Sequence, residues 1–96
     1  MTETINHWID GREVAGVSTR TQPVYDPALG TSTKEVRLGS AADVDAAVAS
    51  ALAAFGEWGG TSWARRQSVI FAFRELLNAR KEDLAQILTA EHGKVL

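Results

Sequence analysis

Between Ser40 and Trp58 the apolar positions Val44, Ala47, Val48, Ala51, Leu52 and Phe55 recur with the period of one helical face, and Trp58 continues the line one turn later. This predicts an amphipathic helix over 40–58. Ser40 is a good N-cap, and Asp43 three residues on makes the pair resemble a capping box with Asp in place of Glu or Gln. Asp43 and Asp45 also lie near the positive end of the helix. The opposite face, Ala46, Ala49, Ala53 and Ala54, favours helix and leaves room for a second element to approach closely. Gly56, Gly59 and Gly60 are expected to end the helix. A second helix is predicted over 62–80, capped by Ser62, with Val69, Ile70, Phe73, Leu76 and Leu77 as its stripe. A third, over 82–92 and opening near Lys81 or Glu82, buries Leu84, Ile87 and Leu88 and meets Gly93 as a C′ residue.

Residues 1–39 carry strand and turn signals instead. Asp10-Gly11 lies between short stretches holding Trp8, Ile9 and Val14, and Asp-Gly favours a type I′ hairpin turn. Thr19 to Tyr25 is rich in β-formers but contains Pro23, which suits an edge strand or an irregular extended segment. Asp26-Pro27-Ala28-Leu29-Gly30 is a turn signature, because proline fixes φ and glycine tolerates positive φ. Lys34 to Leu38 alternates polar and apolar residues and reads as the returning strand. The chain is therefore predicted to be α+β, with a β-hairpin and strands followed by three helices.

Ninety-six residues, 45% hydrophobic and 23% charged, suit one small globular domain. A net charge of −2 gives no general attraction to nucleic acid or anionic lipid. No apolar run approaches the roughly 20 residues of a membrane span. The start, MTETINHWIDG, lacks a basic region followed by an apolar one, so a cytoplasmic protein is expected. The absence of cysteine removes disulfides, thiolate metal sites and thiol nucleophiles together.

Few groups remain for chemistry. His7 and His92 lack i+4 partners and read as structural or exposed. Asp43 and Asp45, two apart on a helix, share no face. Arg65 and Arg66, with Arg74, Arg80 and Lys81 beyond, could form an anion patch but read first as solvated or interfacial helix residues. No glycine cluster has dinucleotide-binding or P-loop spacing. The residues alone therefore give no catalytic and no cofactor-binding constellation.

Four segments in order, Trp8-Ile9-Asp10-Gly11 through Val14, Asp26-Pro27-Ala28-Leu29-Gly30, Asp43-Val44-Asp45 leading to Phe55 and Trp58, and Ile87-Leu88-Thr89 leading to Glu91, Gly93 and Lys94, resemble the amino-terminal part of the NAD-dependent aldehyde dehydrogenase superfamily. Within it the chain looks closest to the methylmalonate-semialdehyde dehydrogenase branch. Asp26 stands where Asn is usual, Leu29 where Thr or Ser is usual, and Val95 follows the Gly-Lys pair. The resemblance implies an α/β parent several-fold longer, with a Rossmann-like NAD domain to which residues 1–96 contribute scaffold. It also implies catalytic and oligomerisation parts outside this chain, a homo-oligomer, and an aldehyde oxidised with NAD and CoA to an acyl-CoA through a cysteine thioester. Since covalent catalysis of that kind needs a thiolate, the site lies elsewhere in the parent. One family feature maps here: the backbone carbonyls of Val24 and Tyr25, which in some members hold a monovalent cation. Two apolar residues close the chain at Val95-Leu96, so further chain is expected after them, and the helical stripes are expected to pack on it. The alternative class is a free-standing helical protein-interaction module using the faces of the second and third helices.

Overall fold

A computed structural model describes residues 3–96. Its elements are β1 (Glu3–Ile5), β2 (His7–Ile9), β3 (Arg12–Val14), β4 (Thr21–Asp26), β5 (Thr31–Arg37), α1 (Ala41–Trp58), α2 (Trp63–Ala79) and α3 (Lys81–His92). The predicted α+β order is present. Strands β2 and β3 form the hairpin, pairing His7 with Val14 and Ile9 with Arg12. Asp10 and Gly11 take φ of 59° and 71°, the two positive values that a type I′ turn requires.

The second sheet has the order β1-β5-β4. Pro23 lies on the edge strand β4, where a missing N–H costs no ladder bond. The turn after Asp26 is closed by the Gly30 N–H donating to the Asp26 carbonyl (2.8 Å) and the Ala28 N–H donating to the Asp26 side chain (2.9 Å). Two features differ from the sequence reading. Strand β5 begins at Thr31 and not Lys34, and β1 pairs parallel to it, Thr4 opposite Glu35. Three residues are too short for a period to register, so β1 became a strand only because β5 was there to pair with it. Glu35 then links all three strands, its carboxylate accepting from the hydroxyls of Thr4 (3.4 Å) and Thr21 (3.2 Å).

The helices begin and end close to the predicted positions, but Gly56 does not terminate α1. The helix runs through it to Trp58 because a glycine inside a helix weakens the element by only about 1 kcal/mol. Gly59 closes α1 in right-handed geometry, its N–H donating to the Phe55 carbonyl (2.7 Å). At the end of α3, Gly93 takes the left-handed conformation (φ 81°) and its N–H caps Thr89, as expected for a C′ glycine.

Packing is sparse. A radius of gyration of 17.1 Å exceeds the about 13 Å of a compact domain of this length. Among the described residues no apolar side chain is buried; Leu52 is 70% and Trp63 89% exposed. Helix α1 meets β2, and α3 meets β4, with Lys34 and Glu91 paired across 3.9 Å. The apolar stripes of all three helices stand open. A chain with this surface should bind ANS and self-associate in sedimentation velocity; a sharp monomer with a cooperative thermal transition and no ANS signal would contradict this arrangement.

Candidate functional site

The densest polar junction in the chain is built on Asp43, which at 8% exposure is the one buried polar side chain among the described residues. Ser40 and Asp43 come from the start of α1, the predicted capping box. The Ser40 N–H (2.9 Å) and hydroxyl (3.0 Å) both donate to Asp43 Oδ2, and the Asp43 N–H donates back to Ser40 Oγ (3.3 Å). Local sequence explains this much. The remaining contacts are tertiary: the Val17 N–H donates to Oδ1 (3.1 Å), and His7 Nε2, from β2, stands 3.9 Å from Oδ2.

The connection between β3 and β4 brings Val17 into place. Arg37 at the end of β5 donates from Nε to the Ala15 carbonyl and from Nη2 to the Ser18 carbonyl, both at 2.7 Å. Arg20 donates to the carbonyl of Gly39 (3.2 Å), tying the other side of the loop to the helix entry. Gly16 completes the fit. Its φ of 77° disfavours a side chain, and a Cβ there would lie 2.8 Å from Asp43 Oδ1 and 2.9 Å from the His7 ring.

The electrostatics follow from this donor set. The Asp43 carboxyl is held below its ordinary value of 3.8, first by the Ser40 backbone N–H; burial opposes this, and the Ser40 hydroxyl, the Val17 N–H and the charge of His7 add to it. A carboxylate so saturated with donors is poorly suited to act as a general base near neutral pH. Nor do Ser, His and Asp form a nucleophilic triad, because His7 Nε2 is buried without a hydrogen-bond partner among the described residues and the Ser40 hydroxyl donates to Asp43. The junction is a structural clasp joining the hairpin, the β3–β4 loop and α1.

The other sequence candidates separate. Arg66 is structural: its guanidinium donates to the carbonyls of Thr61 (3.0 Å), Trp58 (3.1 Å) and Gly59 (2.8 Å) and lies over the Trp58 ring. It supplies the cation that α1 lacks in its own last turn. Arg65 sits apart, lining a small surface cavity with Glu57, Trp58 and Thr61. His92 is exposed in the last turn of α3. Val24 and Tyr25 lie on β4 opposite Lys34 and Ser32, the register skipping Thr33 of β5 between them. Among the described residues no group of His, Cys, Asp and Glu side chains could hold a metal, and no helix is long and apolar enough to cross a membrane. The sequence reading missed the contributions of Gly16, Val17 and His7 to the clasp. A glycine two residues beyond a strand is a weak signal, and contacts across 26 residues leave no local trace.

The sequence profile of the aldehyde dehydrogenase family matches residues 14–96. Malonate-semialdehyde dehydrogenase 3 of Bacillus cereus is 36% identical over 92 residues, covering 96% of this chain and 19% of that protein. Malonate-semialdehyde dehydrogenase 2 of Geobacillus thermodenitrificans is 38% identical over 94 residues, covering 98% of this chain and 20% of that protein. A crystal structure of a Sinorhizobium meliloti protein, assigned as methylmalonate-semialdehyde dehydrogenase and complexed with NAD, superposes with a TM-score of 0.93 at 42% identity. That match covers 96% of this chain and 19% of the other. The chain belongs to the aldehyde dehydrogenase family, and its α+β arrangement is that of the corresponding part of an aldehyde dehydrogenase fold. It spans about a fifth of the length of the curated relatives it matches.

Two consequences of this geometry can be measured. Because the Asp43 pKa is lowered on folding, its contribution to stability is present above the unfolded value of 3.8 and lost as pH falls through the lower folded value. Asp43→Asn should therefore lower the urea midpoint at neutral pH and flatten the acid limb of stability against pH below about 4. An unchanged acid limb would show that Asp43 is not the titrating group. Arg66→Ala should cost about 1 kcal/mol by removing the shared donor of the Trp58, Gly59 and Thr61 carbonyls, and Arg66→Lys should recover only part, since an ammonium lacks the planar fork. Equal midpoints for wild type and Arg66→Ala would remove its capping role.

Proposed function

We propose that this chain is the amino-terminal scaffold of an NAD-dependent dehydrogenase acting on malonate semialdehyde, methylmalonate semialdehyde or a related aldehyde. The acyl group passes to CoA, and the subunit assembles as a cytoplasmic homo-oligomer. The observation that carries the reading is the near-complete superposition of this chain on one end of a semialdehyde dehydrogenase solved with NAD. Residues 1–96 form part of the NAD-binding domain in this reading, and the apolar stripes of α1, α2 and α3 are covered by the remainder of the subunit. Family membership over residues 14–96 weighs against a free-standing interaction module.

The chain's own residues do not fit the cofactor. The β5-to-α1 junction, Gly39-Ser40-Ala41, is the place where a strand opens directly into a helix, the usual seat of a pyrophosphate. Here the buried carboxylate of Asp43 takes the Ser40 N–H and hydroxyl, so an anion there would meet a negative charge and a donor already engaged. Cofactor and thiolate nucleophile are therefore assigned to the rest of the subunit. A monovalent cation at the carbonyls of Val24 and Tyr25 belongs to the same proposal and rests on the family resemblance.

The test is spectroscopic. A subunit of the length of the relatives should form NADH from malonate semialdehyde or methylmalonate semialdehyde in the presence of CoA, while the 96-residue chain forms none. NADH from the short chain, not attributable to host enzymes, would overturn the scaffold assignment. A long subunit inert towards both semialdehydes would overturn the substrate assignment.

A further inference from the structure

We infer that Asp10 is a site of covalent modification: its side chain condenses with the main chain at Gly11 and reopens as an isoaspartyl linkage at the tip of the β2–β3 hairpin. The chemistry is intramolecular. The Gly11 amide nitrogen attacks Cγ of Asp10, an N–C bond forms, a C–O bond breaks, and water leaves to give a five-membered succinimide. Water then adds to either carbonyl. Attack at the main-chain carbonyl restores the carboxylate but routes the backbone through Cβ and Cγ. No oxidant or co-reactant is needed.

The structure singles out this aspartate from the five in the chain. Asp26 precedes Pro27, which has no N–H to act as nucleophile. Asp43, Asp45 and Asp83 lie within helices, where the next residue's amide is engaged; the N–H of Val44 donates to Ser40 and that of Leu84 to Arg80. Asp10 and Gly11 are both exposed, and the Gly11 N–H donates to no backbone carbonyl among the described residues. Gly11 carries no side chain and is exposed, so its own Cα substituent does not shield the amide nitrogen that must attack. One long bond restrains the carboxylate, the 3.3 Å donation from the Ser50 hydroxyl.

The product changes the local structure in a definite way. A two-residue type I′ loop sets the pairing of Ile9 with Arg12, and an extra methylene in the main chain cannot keep that turn. The carboxylate, now on the α-carbon, leaves the Ser50 hydroxyl, which releases the hairpin tip from α1. Modification at Asp10 therefore loosens the hydrogen bond that holds the hairpin tip against the middle of the helix.

The full 96-residue chain, incubated in near-neutral buffer made with heavy-oxygen water, tests the assignment by peptide mapping. Isoaspartate carrying one heavy oxygen is expected in the peptide containing Asp10 and absent from those containing Asp26, Asp43, Asp45 and Asp83. Methyl transfer from S-adenosylmethionine by an isoaspartyl carboxyl methyltransferase should label the same peptide. Asp10→Asn, which forms the same ring with loss of ammonia, should accumulate isoaspartate faster, and Asp10→Glu should show none. Isoaspartate that appears at Asp10 only in urea, that carries no heavy oxygen, or that spreads evenly over all five aspartates would overturn the proposal.

Discussion

A buried carboxylate without donors is unstable in a protein, and the local structure at the centre of this chain follows from meeting that constraint at Asp43. The helix supplies two donors of its own through Ser40, which any capping box could do. The third, the Val17 N–H, comes from a loop whose path is imposed by the Arg37 guanidinium, and the position of that loop requires glycine at residue 16. His7 Nε2, from the hairpin, stands 3.9 Å from the same carboxylate. A single acidic side chain thus fixes where the hairpin, the loop and the first helix meet, although apolar burial contributes little among these residues.

The same helix entry is closed to an external anion by the chain's own groups. Strand-to-helix junctions can hold phosphate when their N–H groups are free, and here they are turned inward to an internal anion. Arg66 does the corresponding work at the other end of α1, donating to the carbonyls of Trp58, Gly59 and Thr61. Both ends of α1 are closed by the chain's own residues, while its apolar side is open. In α1 the polar ends are therefore satisfied internally, while the apolar side chains Val44, Val48, Leu52 and Phe55 stay exposed.

Much of this was legible in order. The periods of the three helices, the Ser40 and Ser62 caps, the Gly93 terminus, the Asp10-Gly11 turn and the edge position of Pro23 are local properties, in which each residue's preference is expressed within a few neighbours. The family resemblance was legible for a related reason: it rests on short segments whose order is kept in the sequence itself.

What only the tertiary structure decided was pairing across distance. Strand β1 exists because β5 offers it a parallel edge, Glu35 reaches Thr4 and Thr21 because the sheet places them on either side, and His7 faces Asp43 because the hairpin folds back over the helix start. Gly56 looked like a terminator but was carried inside α1, since the bonds and contacts on both sides outweigh the small cost of one glycine. Propensity and period are written in neighbouring residues, whereas the partner of a strand edge or a buried charge is chosen by the whole chain's geometry.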